Sequence, residues 1–147
     1  MSLQEQLEAD MKTAMREKDT LRRDVLRMTV AELKRARIDQ QKDLTADEEL
    51  KVVQKAVKSR EESAVEYDKA GRPETAEKER AEAEVLRAYL PRMLSEDELK
   101  AAVEAKRDEL GLSSKQDMGQ LIKAVMAEHG AAADGKLVSK LAAQALG

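Results

Sequence analysis

At three places where an apolar-periodic run begins, the chain carries the same helix-opening signature. Ser2-Leu3-Gln4-Glu5, Thr45-Ala46-Asp47-Glu48 and Ser95-Glu96-Asp97-Glu98 each set a hydroxyl residue three places before a glutamate. In such a box the hydroxyl takes up the amide three residues on, and the carboxylate reaches back to the amide of the hydroxyl residue. Two donors that a helix start leaves unpaired are thereby satisfied. Apolar residues at three- and four-residue spacing follow every box, so the chain reads as all-α.

Leu3, Leu7, Met11 and Met15 form the apolar stripe of a first helix that reaches about Glu17. Asp19 caps a second, which gathers Leu21, Val25, Leu26, Met28, Thr29, Leu33 and Ala36 on one side. After Thr45, the residues Leu50, Val53, Val57, Ala64 and Tyr67 follow a near-heptad spacing that Arg60 interrupts. That third helix ends at about Ala70, where Gly71 supplies a left-handed position. Pro73 suits the first turn of a fourth helix, whose narrow face of Ala76, Ala83, Leu86 and Leu90 packs antiparallel on the third. With no Phe, no Trp and two Tyr, the core must be built from Leu, Val, Ala, Met and Ile.

Tyr89-Leu90-Pro91 breaks this organisation, because Pro91 has no amide and disfavours a helical residue before it. The expected division is an N-terminal helical hairpin or bundle over 1–93 and a compact three-helix domain over 94–147. In the second domain, Ser95 opens a helix that ends at Gly111 and buries Leu99, Ala102, Val103 and Leu110. Ser114-Lys115-Gln116-Asp117 starts another, burying Met118, Leu121, Ile122, Val125 and Met126 and closed by Gly130. Asp134 caps the last, which carries Leu137, Val138, Leu141 and Ala145.

Reactive chemistry finds little support. There is no cysteine, hence no disulfide, thiolate nucleophile or cysteine zinc site, and no redox reason to expect secretion. The single histidine, His129, follows Glu128 directly, and neighbours in sequence point apart on a helix. His129 reads either as a general base or RNA contact, or as a surface residue at a helix C-terminus that the macrodipole favours when protonated. No phosphate loop and no nucleophile with a base partner occurs, so no catalytic, cofactor or metal residue is assigned and the chain is expected not to be an enzyme. No basic n-region leads into an apolar run, and no stretch nears the ~20 apolar residues of a span, so the expectation is a soluble cytoplasmic protein without membrane contact.

The formal net charge of −3 opposes coating of nucleic acid by bulk electrostatics, and no DNA partner is expected. A local patch remains. Arg16 to Arg37 holds eight basic residues against four acidic ones. Arg23, Arg27, Lys34 and Arg37 fall within about 80° of one another at 100° per residue. Lys51, Lys55 and Lys58 form a shorter stripe. Either stripe suits a phosphate backbone, and either suits an ordinary solvated helix face. The scarcity of aromatic residues argues against single-strand recognition by base stacking, an objection that shape-reading of folded RNA escapes.

Tyr89-Leu90-Pro91, Leu94-Ser95, Glu98-Leu99, Asp117-Met118-Gly119, Val125-Met126, Gly130 and Asp134-Gly135-Lys136-Leu137-Val138 together resemble the YqeY family of GatB/YqeY domain proteins. The likeness extends to Met11-Lys12, Ala14-Met15, Lys18-Asp19 and Leu26-Arg27-Met28. The resemblance implies a C-terminal domain similar to the tail of the B subunit of the glutamine-dependent Asp-tRNA/Glu-tRNA amidotransferase, where the tail contacts tRNA and the chemistry occurs elsewhere. Met118, Gly119, Lys123, Gly130, Asp134, Gly135 and Lys136 match that tail. A glycine inside a helix costs ~1 kcal/mol relative to alanine, which gives Gly119 two readings: close approach by another backbone or phosphate, or close helix packing.

The function expected is therefore a non-catalytic tRNA-related accessory protein that binds folded tRNA, or a tRNA-modifying or charging complex. Its contact residues would be drawn from Arg23, Arg27, Lys34, Gly119, Lys123, Gly130, Gly135 and Lys136. Residues 95–147 carry seven basic and nine acidic side chains. That balance keeps open an adaptor that uses the long hairpin to bind a protein. A carbon–nitrogen ligase activity with glutamine as amido donor enters only by analogy with the family.

Overall fold

The computed structural model describes residues 1–147, which form seven α-helices and no strand. They are α1 (Leu3–Arg16), α2 (Thr20–Gln40), α3 (Ala46–Lys69), α4 (Pro73–Arg87), α5 (Glu96–Leu110), α6 (Met118–His129) and α7 (Gly135–Ala145). Two 3₁₀ turns, Lys115–Asp117 and Gly130–Ala132, flank α6.

The helix starts follow local chemistry. Ser2, Asp19, Thr45, Ser95 and Asp134 each accept an amide of the helix they precede. The boxes at Thr45 and Ser95 close in both directions, with the Thr45 amide 2.9 Å from Glu48 Oε1 and the Ser95 amide 3.1 Å from Glu98 Oε1. The first box closes only by half, because the Glu5 carboxylate accepts the Ser2 hydroxyl instead of a backbone amide. The Ser114 box opens the 3₁₀ turn, and α6 begins only after it.

Two other amides at the start of α1 find an acceptor elsewhere in the chain. Gln4 and Leu3 donate their amides to Glu49 Oε2 and Oε1 at 2.9 and 3.4 Å. Glu49 sits in the first turn of α3 and is 6% exposed. Its carboxylate meets the positive end of the α1 dipole, so the contact is favourable in charge as well as in geometry.

Two helix ends need glycine. At Gly71, with φ of +72°, the Arg72 amide bonds to the Tyr67 carbonyl at 2.8 Å and the Gly71 amide to that of Asp68 at 3.1 Å. Gly111, with φ of +67°, repeats the pattern through Leu112 to Arg107 and Gly111 to Asp108. In both, carbonyls that a helix end leaves open are satisfied by a left-handed turn that a side chain would strain.

The chain divides into Met1–Leu90 and Pro91–Gly147. Pro91, Arg92 and Met93 thus group with the second unit and not with 1–93. Local bonds account for this: Arg92 grips Glu98 through both its terminal nitrogens at 2.9 and 2.8 Å, and the Leu94 amide bonds to the Ala132 carbonyl.

In the first unit, Leu7, Val25, Leu26, Val30, Leu33, Val53, Ala56, Val57, Ala83 and Leu86 make one core. α3 and α4 form the expected hairpin, laced by Arg80 with Asp68 and Arg87 with Glu61. Met15 and Met28, expected inside, are 49% and 55% exposed. A four-residue step drifts about 40°, so by Met15 the stripe begun at Leu3 has rotated off the core, and Ala14 is buried in its stead. Met28 lies on the far edge of the arc centred on Thr29 and Leu33, and Val30 takes the inner position. The near-heptad seam of α3 is not free for an outside helix, because Val53 and Val57 are part of this core.

The second unit closes around Leu99, Val103, Leu121, Val125, Val138, Leu141, Ala142 and Leu146. Leu110, expected inside, is 40% exposed at the last residue of α5.

Candidate partner-binding surfaces

The residues singled out from the sequence fall in different units. Arg23, Arg27 and Lys34 stand on α2, whereas Gly119, Lys123, Gly130, Gly135 and Lys136 belong to α6, α7 and the turn between them.

On α2 the expected stripe is only partly free. Arg23 pairs with its neighbour Asp24 at 2.9 Å, and Lys34 reaches Glu8 of α1 at 3.5 Å. Arg27 and Arg37 are exposed and carry no ion pair, and Arg35, which periodicity placed off the stripe, shares that condition. Lys51, Lys55 and Lys58 on α3 are exposed in the same way. Arg22, behind this face, is committed inward: Tyr89 donates its hydroxyl to Asp10 Oδ2 at 2.6 Å, and Arg22 lies 3.5 Å from the same hydroxyl. Burial, and then the Asp10 contact, hold the Tyr89 phenol above its ordinary range. This cluster joins α1, α2 and the turn after α4 and has no free acid or base to offer.

The two readings of Gly119 separate. It is the second residue of α6 and not an interior one, it is exposed, and a Cβ built on it would meet nothing within 4 Å. Packing inside the chain therefore does not account for the glycine. Gly135, at the start of α7, is equally open. Gly130 differs. Its φ of 52° and ψ of −128° lie where only glycine is at ease, and they turn the chain from α6 toward buried Ala133. Gly130 is thus explained by the turn it makes and needs no partner.

Around these glycines the cations sort into two classes. Lys106 is bound to Glu128 and Glu109 at 2.8 and 3.0 Å, Arg107 to Asp108 and the Ala145 carbonyl, and Lys140 to Glu96. Glu128, the larger partner of Lys106, draws its pKa upward. Lys123 and Lys136 are exposed and without ion pairs, as are Lys100 and Lys115. Which lysines are free depends on helix pairing, so spacing along the chain carried no signal for this distinction.

A shallow cleft of about 230 Å³ lies between α5 and α7, lined by Lys100, Glu104, Arg107, Leu141, Gln144 and Ala145. None of the expected contact residues lines it. No three His, Cys, Asp or Glu residues gather in a metal-holding arrangement, and no helix is long and apolar enough to cross a membrane. Residues 4–146 match the family described as Yqey-like protein, nearly the whole chain. No curated protein matches it.

Proposed function

Since the chain belongs to the Yqey-like protein family, we propose that it is a cytoplasmic, non-catalytic accessory protein that docks folded tRNA, or a tRNA-modifying or charging complex, through its C-terminal unit. The observation that carries this reading is the freedom of Lys123 and Lys136. Both match the amidotransferase-tail pattern, and both keep their ammonium groups unpaired in a unit where Lys106, Arg107 and Lys140 are neutralised internally. Free ammonium groups beside the open backbone of Gly119 and Gly135 suit contact with phosphate, which positions a protein on folded RNA without reading bases. Catalysis stays outside this proposal, because the ligase activity with glutamine as amido donor has only family analogy behind it.

The test is titration of fluorescent tRNA with the full chain at low salt. Lys123→Glu and Lys136→Glu are each expected to weaken binding to every tRNA alike and to lower the salt slope by about one. Absence of binding at low salt, or binding indifferent to both substitutions, overturns the proposal.

A further inference from the structure

We infer that the outward face of α2 is a docking seam for a helix of another protein that carries carboxylates along one edge of an apolar stripe. Met28 and Ile38 are 55% and 69% exposed on a helix whose opposite side fills the core. Between them come Ala31 and Arg35, both exposed, so that Met28, Ala31, Arg35 and Ile38 are spaced three, four and three apart. That is the spacing of one helix meeting another, and alanine at the second place allows close approach. Arg27 and Lys34 border the seam on one edge, and Glu32 and Asp39 on the other.

Charge decides among occupants. A second copy set antiparallel would bring Arg27 and Lys34 against their own kind, and one set parallel would bring Arg35 onto Arg35 at the midline of the seam, so each register meets like charges. A phosphate backbone would be served by the arginines and would leave Met28 and Ile38 idle. A helix with leucines in its stripe and glutamates along the edge facing Arg27 meets the exposed apolar residues and the unpaired Arg27 and Arg35 together, while Lys34 already reaches Glu8. This seam is independent of the tRNA reading, which rests on the other unit.

The probes are three-heptad peptides with leucine at the two core positions, glutamate along one edge and glutamine along the other, made with the glutamate edge on either side. Each has a control with lysine in place of glutamate. Fluorescence anisotropy with the full chain should show one glutamate-edged peptide bound and its lysine version unbound. Arg27→Glu with Arg35→Glu, and separately Met28→Ser with Ile38→Ser, should each weaken binding by about tenfold or more. The serine pair should leave the tRNA titration unchanged. Failure of both glutamate peptides, equal binding of the lysine version, or a solution dimer that Ile38→Glu dissociates overturns the inference.

Discussion

In Met1–Leu90 the helices are joined by charged side chains that cross between elements and are buried there. In Pro91–Gly147 the charged contacts stay near the surface. Glu49 and Arg60 are 6% and 7% exposed, and with Thr29 they are the buried polar residues of the whole chain, all in the first unit. Arg60 gives a terminal nitrogen to the Ala56 carbonyl at 3.0 Å and sets its Nε 3.4 Å from Glu82 of α4. A charge taken out of water must meet its partner, so such contacts admit one alignment of helices and penalise others. The charges that cross between helices in the second unit, Lys106 to Glu128 and Arg107 to the Ala145 carbonyl, are less enclosed than Glu49 and Arg60. That unit relies on an aliphatic cluster, two-way caps and the left-handed turns at Gly111 and Gly130.

Truncation in the smaller core tests this contrast at its largest. Leu121→Ala removes a fully buried side chain and should cost about 2–5 kcal/mol, most of what a unit of that size has. Both tyrosines, Tyr67 and Tyr89, lie in the first unit, so tyrosine fluorescence should keep its unfolding midpoint while circular dichroism shows an earlier loss of helix. A common shift in both signals would break the contrast.

Next in size are the buried charges. Arg60→Ala strands Glu82 and should cost about 2–3 kcal/mol in denaturant unfolding, somewhat less than for a fully enclosed pair because Glu82 is 18% exposed. Glu49→Ala should cost about 1–3 kcal/mol by leaving the Leu3 and Gln4 amides without their acceptor, with the loss read as faster amide exchange at the start of α1. Losses confined to a few tenths of a kcal/mol at both sites would show that the first unit, too, stands on its aliphatic core alone.

Caps give a smaller effect. Ser95→Ala should destabilise the second unit by about 1 kcal/mol in denaturant unfolding, with the first unit unmoved. The smallest expected effect is a pH dependence. Arg92, and then the Ser95 amide, hold the Glu98 carboxyl at about 2 against an ordinary 4.5. A depressed carboxyl adds stability above the ordinary value and loses it as pH falls through the lowered one. The second unit should therefore weaken as pH drops from about 4.5 toward 2, and Glu98→Gln should flatten that fall in thermal unfolding.

What the sequence made legible is what lies within a few residues. Ser2, Asp19, Thr45, Ser95, Gly111 and Asp134 mark helix limits because a cap bond spans two to five positions, and Pro73 marks one because its fixed φ and missing amide suit a first turn. The contacts that spacing does not reveal are long ones: Glu49 to Gln4, Tyr89 to Asp10, Arg60 to Glu82. The same limit governs the candidate site. Lys34 and Arg27 look alike on a helical wheel, yet Glu8 engages the first and nothing engages the second. Gly119 read as an interior glycine because Ser114 looked like the cap of α6, and the intervening 3₁₀ turn moved the helix start to Met118.

Hydrogen exchange on the full chain, with and without folded tRNA at low salt, tests the docking claim most directly. The account predicts slowed exchange over Lys115–Lys123 and Asp134–Lys136, with the α1 to α4 amides unchanged. Slowing confined to the first unit, or none at saturating tRNA, contradicts it.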